Sequence, residues 1–384
     1  MKEKQVSYTP VLCLTFLNST ALSILGTLIS MYAVVYFKAN TLEVGLLSSM
    51  NSLTTLLLTI PGGLASDRFG RKIMLIMSMV LNAASFVFAY TAIELLMLTI
   101  SVILSGASYA NFGPTMQSLV ADLATADVRK KAVGLYTVAS SVGFFIGPAM
   151  CSLLLQFISI KDVFLIALGI TSIELIMGIL VVKEKGSSGG EARFIVKNLS
   201  SIIHNTNVMH ASLALVSFFF VDSCIMAFFP IIALNVYGLT PQIVSSVFMI
   251  RNLALLSSRT LVVTRMAGKF SEKKLFSISL ALPVSLVLSF FLPGYIPLAI
   301  LIVIAGAALG IIYPMGAMIV AESTSQQERG LANAVYYVGM NVGVTVSPIM
   351  MGVVANMVGI TMIFPIVAFA PVIGLLVSSR IKTK

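Results

Sequence analysis

Pro61-Gly-Gly-Leu-Ala-Ser-Asp-Arg-Phe-Gly-Arg-Lys72 stands between two apolar runs, one ending near Ala65 and the other beginning at Ile73. One acid and three bases fall within about ten residues, too many charges for a bilayer core and too few residues for a domain. The stretch reads as a tight hairpin joining two membrane-spanning helices. Working outward from it assigns the remainder of the chain.

The composition agrees with that reading. Of 384 residues, 58% are hydrophobic and only 10% charged, and the mean hydropathy is +1.03. Soluble domains carry about 25% charged residues. A helix needs about 20 apolar residues to cross a bilayer. Apolar runs of that kind fall at 10–37, 43–65, 73–90, 95–120, 132–156, 163–182, 208–236, 242–264, 275–292, 298–320, 331–355 and 360–379. The expected fold class is therefore an all-α membrane protein with twelve transmembrane helices in two six-helix bundles. These spans use nearly the whole length, which leaves no room for a soluble catalytic domain.

The net charge of +10 would suit a nucleic-acid partner, but the bases are distributed by side. With the N-terminus placed inside, the inner segments hold twenty Lys and Arg and the outer loops only Lys38 and Lys161. The asymmetry predicts that both termini are cytoplasmic, in a multi-pass protein of the cell membrane. It also explains the basic pI without nucleic acid. Met1-Lys-Glu-Lys leads into the first span without a small-residue cleavage site, so that span is read as retained. With no Trp, the interfacial aromatic belt falls to Tyr8, Tyr32, Tyr36, Tyr90, Tyr237 and Tyr295. Cys13, Cys151 and Cys224 lie in apolar runs and are expected to be reduced thiols packed as small hydrophobes.

The halves repeat. At an offset of 200 residues, 13 of the 45 positions from 106 to 150 are identical, including Gly106 with Gly306, Pro114 with Pro314, Arg129 with Arg329 and Tyr136 with Tyr336. Shared apolar composition does not align Pro, Arg and Tyr in register, so this is a duplication of the kind on which transporters are built. It makes the two bundles pseudo-symmetric. The expected organisation is an N-terminal bundle at 1–182, a cytoplasmic linker at 183–207 and a C-terminal bundle at 208–384. The linker holds Gly186-Ser-Ser-Gly-Gly190. It then has Ile195, Leu199, Ile202 and Ile203 at helical spacing, which predicts an amphipathic helix on the inner membrane face.

The pattern Gly63-x-x-x-Asp67-Arg68-x-Gly70-Arg71-Lys72 resembles the signature loop of the major facilitator superfamily of secondary transporters, found between their second and third helices. All six positions match. The resemblance implies two bundles that alternately open a midplane cavity, with Asp67, Arg68, Arg71 and Arg129 forming a gate on the inner side. Gly143-Phe-Phe-Ile-Gly147-Pro148 resembles the Gly-x-x-x-Gly-Pro signature of the family's antiporters in the fifth span. Its next small-residue pair is replaced by Cys151 and Ser152. Proton-coupled drug exporters carry an arginine where this chain has Val102. As physical elements, glycines four apart permit close helix packing and proline bends a helix.

Four charges lie within spans: Glu174, Asp222, Arg251 and Arg259. Each costs several kcal/mol unless it is paired, hydrated or neutralised, and each is a functional candidate for that reason. Asp222 and Arg251 fall at similar depth and are expected within reach of one another. Protonating Asp222 would free Arg251; the alternative is a static pair that holds the C-terminal bundle together. Arg259, close to a span end, is expected to snorkel to headgroups. Glu174 is expected opposite a polar group such as Asn82, with a structural or secondary proton role. Asn18, with the other polar residues of the first span, Tyr109, Asn111 and Tyr313 are candidates for a substrate path; singly, such residues are more often helix–helix hydrogen bonds.

No Gly-x-x-x-x-Gly-Lys-Ser/Thr loop, nucleophilic serine motif or metal-ligand spacing is present in the sequence. The expected function is secondary transport, not enzymatic catalysis, without a cofactor and driven by a proton gradient. The favoured version is proton-coupled export of small amphipathic compounds by a monomer. The alternatives are uptake or exchange of a small organic anion with Arg251 as its ligand, or a receptor or scaffold that keeps the fold without transport.

Overall fold

A computed structural model of the chain describes residues 9–123, 129–182, 201–266, 269–325 and 328–382. The side chains of residues 67, 121–123, 129–131 and 263 lie outside the description. The regular structure is helical, in chain order α1 Thr9–Phe37, α2 Thr41–Phe69, α3 Arg71–Thr91, α4 Leu95–Leu123, α5 Arg129–Leu154 and α6 Ile160–Val181. There follow α7 Thr206–Val236, α8 Pro241–Met266, α9 Glu272–Phe290, α10 Tyr295–Glu322, α11 Arg329–Val358 and α12 Ile360–Ser379. All twelve contain a segment long and apolar enough to cross a membrane. Their ends fall within a few residues of those read from the sequence.

Local chemistry sets the breaks. Asn40 and Glu43 cap the start of α2 reciprocally, each side chain accepting the other's backbone N–H. Ser159 and Asp162 do the same for α6. Pro283 has no N–H to donate, and from Leu282 to Phe290 α9 continues as a tighter 3₁₀ helix. α7 and α8 both end in π-helical turns, Ile232–Val236 and Val262–Met266.

The expected hairpin at 61–72 is shorter than the sequence suggested. α2 continues through the charged residues to Phe69, and Gly70 alone separates it from α3. Gly70 has φ 94° and ψ 149°, a conformation open to glycine and strained for residues with a Cβ. Gly63 is different: a Cβ there would meet nothing within 4 Å. Gly70→Ala is therefore expected to cost about 1–2 kcal/mol. Gly63→Ala should change stability by no more than about 0.5 kcal/mol. Thermal unfolding of the detergent-solubilised variants checks this; equal effects would refute the assignment of the turn to Gly70.

The helices group into two compact units. One lies within Met1–Tyr32 and Leu53–Gly190, the other within Ala33–Ser52 and Glu191–Lys384. The first has a core built from Leu14, Leu75, Met79, Phe112, Met116 and Leu119, drawn from α1, α3 and α4. The second centres on Leu215, Phe218, Phe276, Ile312, Met315 and Tyr336, from α7, α9, α10 and α11. Leu57, Ile60, Leu180 and Leu376 are each more than 60% exposed, an apolar exterior suited to hydrocarbon as solvent.

Two expectations are corrected within these cores. Tyr32 is 1% exposed and packs edge-on against Phe164 at 5.3 Å between ring centroids, so it is a core residue and not part of an interfacial belt. Cys13 is exposed, whereas Cys151 and Cys224 are buried; all three are free thiols. The linker reading falls mainly on 183–200, outside the described residues; Ser201–Ile203 are helical.

At one end of the second unit, polar contacts tie α7, α9, α10, α11 and the end of α12 together. Asn205 donates to the Ser323 carbonyl, Asn207 to the Lys382 carbonyl, and Lys273 Nζ to the carbonyls of Ser379 and Ile381. Glu328 accepts from the hydroxyls of Ser325 (2.7 Å) and Ser201 (3.1 Å), which hold its carboxyl below the usual glutamate range. A depressed carboxylate contributes stability above its unfolded-state value and loses it as pH falls through the folded-state value. Amide protection factors at residues 328–332, corrected for the intrinsic exchange rate at each pH, are accordingly expected to fall on acidification below about pH 4, and Glu328→Gln to flatten that dependence. A wild-type profile in the variant would mean these hydroxyl contacts carry no weight.

Candidate functional site

In the second unit, α7 brings Asp222 to the middle of its length. The residue is 16 positions from Thr206, about 24 Å along the axis. α8 brings Arg251 to a position ten residues from Pro241, about 15 Å in. The two form a salt bridge from Arg251 Nη2 to Asp222 Oδ1, with the arginine side chain 4% and the aspartate 12% exposed. Arg251 Nη1 donates to Asn252 Oδ1 at 3.0 Å, and its Nε has no partner among the described residues.

Glycines on neighbouring helices seat both partners. On α10, a Cβ at Gly306 would run into Arg251 Cγ and lie 2.6 Å from the Arg251 carbonyl oxygen. Gly310, one turn on, faces Ser258 and the Leu255 carbonyl, while the Ser258 hydroxyl donates to the Ala307 carbonyl at 2.7 Å. On α11, Gly339 and Gly343 lie against the backbone of Ser212 and Val216 of α7, and Ser347 donates to the Phe220 carbonyl. Asp222 and Arg251 are thus held by backbone-to-backbone contacts, which cannot move aside as a flexible side chain can.

Farther along α8, Arg259 lies with its guanidinium carbon 5.8 Å from the Tyr313 ring centroid. Tyr313 in turn stacks on Tyr337, centroids 5.0 Å apart and 22° between planes. This corrects the snorkelling expectation: a cation–π partner is available inside the unit. Tyr313, expected on a substrate path, has Arg259 and Tyr337 against its ring.

The first unit holds a second buried polar group. Glu174 of α6 is 0% exposed and accepts a hydrogen bond from Asn18 Nδ2 of α1 at 3.0 Å. The partner expected from the sequence was Asn82. That residue is also 0% exposed, but neither of its amide atoms has a partner among the described residues. Asn111 is buried with its amide donating to the Ala107 carbonyl of its own helix, and its side chain fills the space where a Cβ of Gly62 would project. It therefore packs α4 on α2, and the close approach in the signature stretch belongs to Gly62, not Gly63. Tyr109 is 37% exposed.

The helix-kink motif packs on α1. A Cβ at Gly143 would lie 2.7 Å from the Phe16 carbonyl oxygen, and one at Gly147 would lie 2.9 Å from that of Thr20. Ser23 donates to the Gly143 carbonyl at 3.2 Å and Ser19 pairs with Ser140 at 3.0 Å. The hydroxyls of Thr15, Thr20 and Thr27 donate to carbonyls four residues earlier in α1. Pro148 lies within α5.

Of the signature charges, Arg68 is exposed beside the Phe69 ring, its guanidinium carbon 5.5 Å from the centroid, and Arg71 and Lys72 are half-buried at the start of α3. The side chains of Asp67 and Arg129 lie outside the described residues, so the gate assigned to them has no geometry here. Among the described residues no group of three His, Cys, Asp or Glu is placed to hold a metal ion.

Twelve apolar helices, a sequence repeat and an ion pair at mid-span depth define a polytopic membrane protein built from two related halves. The Major Facilitator Superfamily model matches residues 11–274 and again 211–382, and the chain belongs to that family. Multidrug resistance protein 2 of Bacillus subtilis (strain 168) is 27% identical over 223 residues, 56% of this chain and 55% of that protein. Multidrug resistance protein 1 of the same organism is 34% identical over 143 residues, 37% of this chain and 36% of that one. The chain thus spans about half the length of the first relative and about a third of the second. A D-xylose–proton symporter structure superposes with a TM-score of 0.80 at 16% identity, covering 98% of this chain and 97% of that one. The human organic anion transporter MFSD10 gives 0.71 at 16% identity, covering 96% and 98%. The chain is therefore an integral, multi-pass membrane protein of that family.

Proposed function

We propose that the protein exports small amphipathic organic compounds in exchange for protons. The observation that carries this reading is the Asp222–Arg251 pair, an acid and a base buried at mid-span on two helices of one unit. The names of the multidrug relatives support the direction and the substrate class. Protonation of Asp222 neutralises the carboxylate and leaves Arg251 without its counter-charge. The rearrangement that follows is the step a proton gradient drives. Arriving from outside, the proton displaces solute outward; after the bundles turn over, Asp222 releases that proton inside as solute binds again.

The reading includes an inner gate at Asp67, Arg68, Arg71 and Arg129, a bend at Gly143, Gly147 and Pro148, and bundles at 1–182 and 208–384 joined by 183–207. It places the protein as a monomer in the cell membrane, both termini cytoplasmic, with no cofactor. The test is flux of cationic, neutral and anionic solutes into proteoliposomes, with and without a pH gradient. Gradient-dependent movement of lipophilic cations is expected. Movement confined to anions, and lost in Arg251→Ala, would replace this reading with organic-anion exchange. Absence of any flux in a folded, reconstituted preparation would favour a receptor or scaffold.

A further inference from the structure

We propose that Glu174 is a second proton-binding site, contained within the first unit and separate from Asp222, and that its proton holds α1 in its seat between α6 and α5. This extends the proton-coupled reading but does not depend on Asp222.

Three observations carry it. First, Glu174 is fully buried and its one hydrogen bond comes from a neutral amide, Asn18 at 3.0 Å; its Oε2 has no partner among the described residues. Second, no cation faces it among the described residues. α1 carries no charged residue, and its titratable groups are Cys13, Tyr32 and Tyr36. On α3 the bases are Arg71 and Lys72, ten or more residues from Asn82 and so about 15 Å along the helix, and the other titratable group is Tyr90. On α6 itself, Lys161 and Asp162 lie a dozen residues away, about 18 Å. The titratable groups described on the remaining helices of this core are Tyr109 on α4 and Tyr136 and Cys151 on α5, all neutral at physiological pH. A carboxylate so enclosed, with a single neutral donor, is held as the neutral acid.

Third, the partner is connected. Asn18 adjoins Ser19, which pairs with Ser140, and Ser19, Thr20 and Ser23 form the surface on which Gly143 and Gly147 close. α1 is therefore gripped on one side by the glycine face of α5 and on the other by a hydrogen bond to Glu174. Loss of the proton places an unpaired negative charge in that second contact. The charge is relieved only if α1 or α6 moves to admit water or a cation. Asn82, buried with both amide atoms without partners among the described residues, is a polar group on a helix packed against α6 that such a movement would bring into use. Balanced as a reaction, Glu174–COOH releases H⁺ to become the carboxylate, and no other bond changes.

The experiment has two readouts on the full-length reconstituted protein. Infrared spectra of the carboxylic C=O stretch are compared between Asp222→Asn and Asp222→Asn/Glu174→Gln, so that Asp222 contributes to neither. A protonated-carboxyl band is expected at neutral pH in the first and absent from the second. Uptake of tetraphenylphosphonium is then followed against pH in wild type and Glu174→Gln. A single linked proton contributes up to about tenfold per pH unit, and Glu174→Gln is expected to remove that component. Gln has the same shape and keeps an acceptor for Asn18, so folding is preserved. Either an unchanged infrared band or an unchanged pH profile in Glu174→Gln overturns the proposal. Loss of coupling in Asp222→Asn with none of these changes in Glu174→Gln would leave the Asp222 reading standing alone.

Discussion

Asp222→Asn is expected to abolish gradient-driven flux while leaving a folded, monodisperse protein. Asparagine retains the shape and an oxygen acceptor for Arg251 Nη2, so the helices have no steric reason to part. What it removes is the proton-accepting carboxylate. Flux under a pH gradient should fall to the level seen without one, a loss of at least about tenfold, or 1.4 kcal/mol. Arg251 would then be a buried cation held by neutral groups. Breaking such a pair from one side costs about 3–5 kcal/mol when nothing replaces the lost partner, and the amide oxygen offsets part of that. Asp222→Ala lacks this compensation and should lower the thermal midpoint further than Asp222→Asn. The double variant Asp222→Asn/Arg251→Gln should recover stability without recovering coupling. Coupled flux at wild-type rates in Asp222→Asn would remove the proposed proton step.

Gly306→Leu is expected to be nearly as damaging, although position 306 bears neither charge nor hydrogen-bonding side chain. Its α-carbon lies under the stem and the backbone of Arg251, and the nearest fixed atoms to an added Cβ are the Arg251 oxygen at 2.6 Å and carbon at 3.2 Å. A backbone carbonyl inside α8 cannot rotate away without breaking its helix hydrogen bond, so the whole of α8 must shift from α10. Overpacking of this kind costs about 1–3 kcal/mol or more, and here the displaced residue is the base of the ion pair. The expected result is a lowered thermal midpoint together with loss of gradient-driven flux. Gly113→Leu on α4 is the control, since a Cβ there meets nothing within 4 Å. Equal effects at the two positions would show that general intolerance of the helices, and not the seat of Arg251, is being measured.

Much of the site was readable before any coordinates. Asp222 and Arg251 were paired by counting residues from span ends, because depth along a helix is proportional to residue number. The stretch 61–72 reads as a hairpin because an acid and three bases are too many charges for a bilayer core, while only the structure narrows the turn to Gly70. The same counting misassigned Glu174. Asn82 and Asn18 are both at accessible depth, and depth alone cannot say which helix face each occupies. Nearness to a span end likewise placed Tyr32 at an interface, although it is a core residue.

The amino-acid sequence by itself determined the number of spans, their ends to within a few residues, the duplication and the family, since these rest on apolar length, on where charges are tolerated and on register between the halves. Only the tertiary structure decided which residues face one another: Glu174 with Asn18, Arg259 with Tyr313, Gly306 with Arg251. In water, a helix advertises its buried face by an apolar stripe. In a bilayer both the lipid side and the packed side are apolar, so rotation about the helix axis leaves little trace in hydrophobicity and is settled by the fit of small residues against neighbouring backbones.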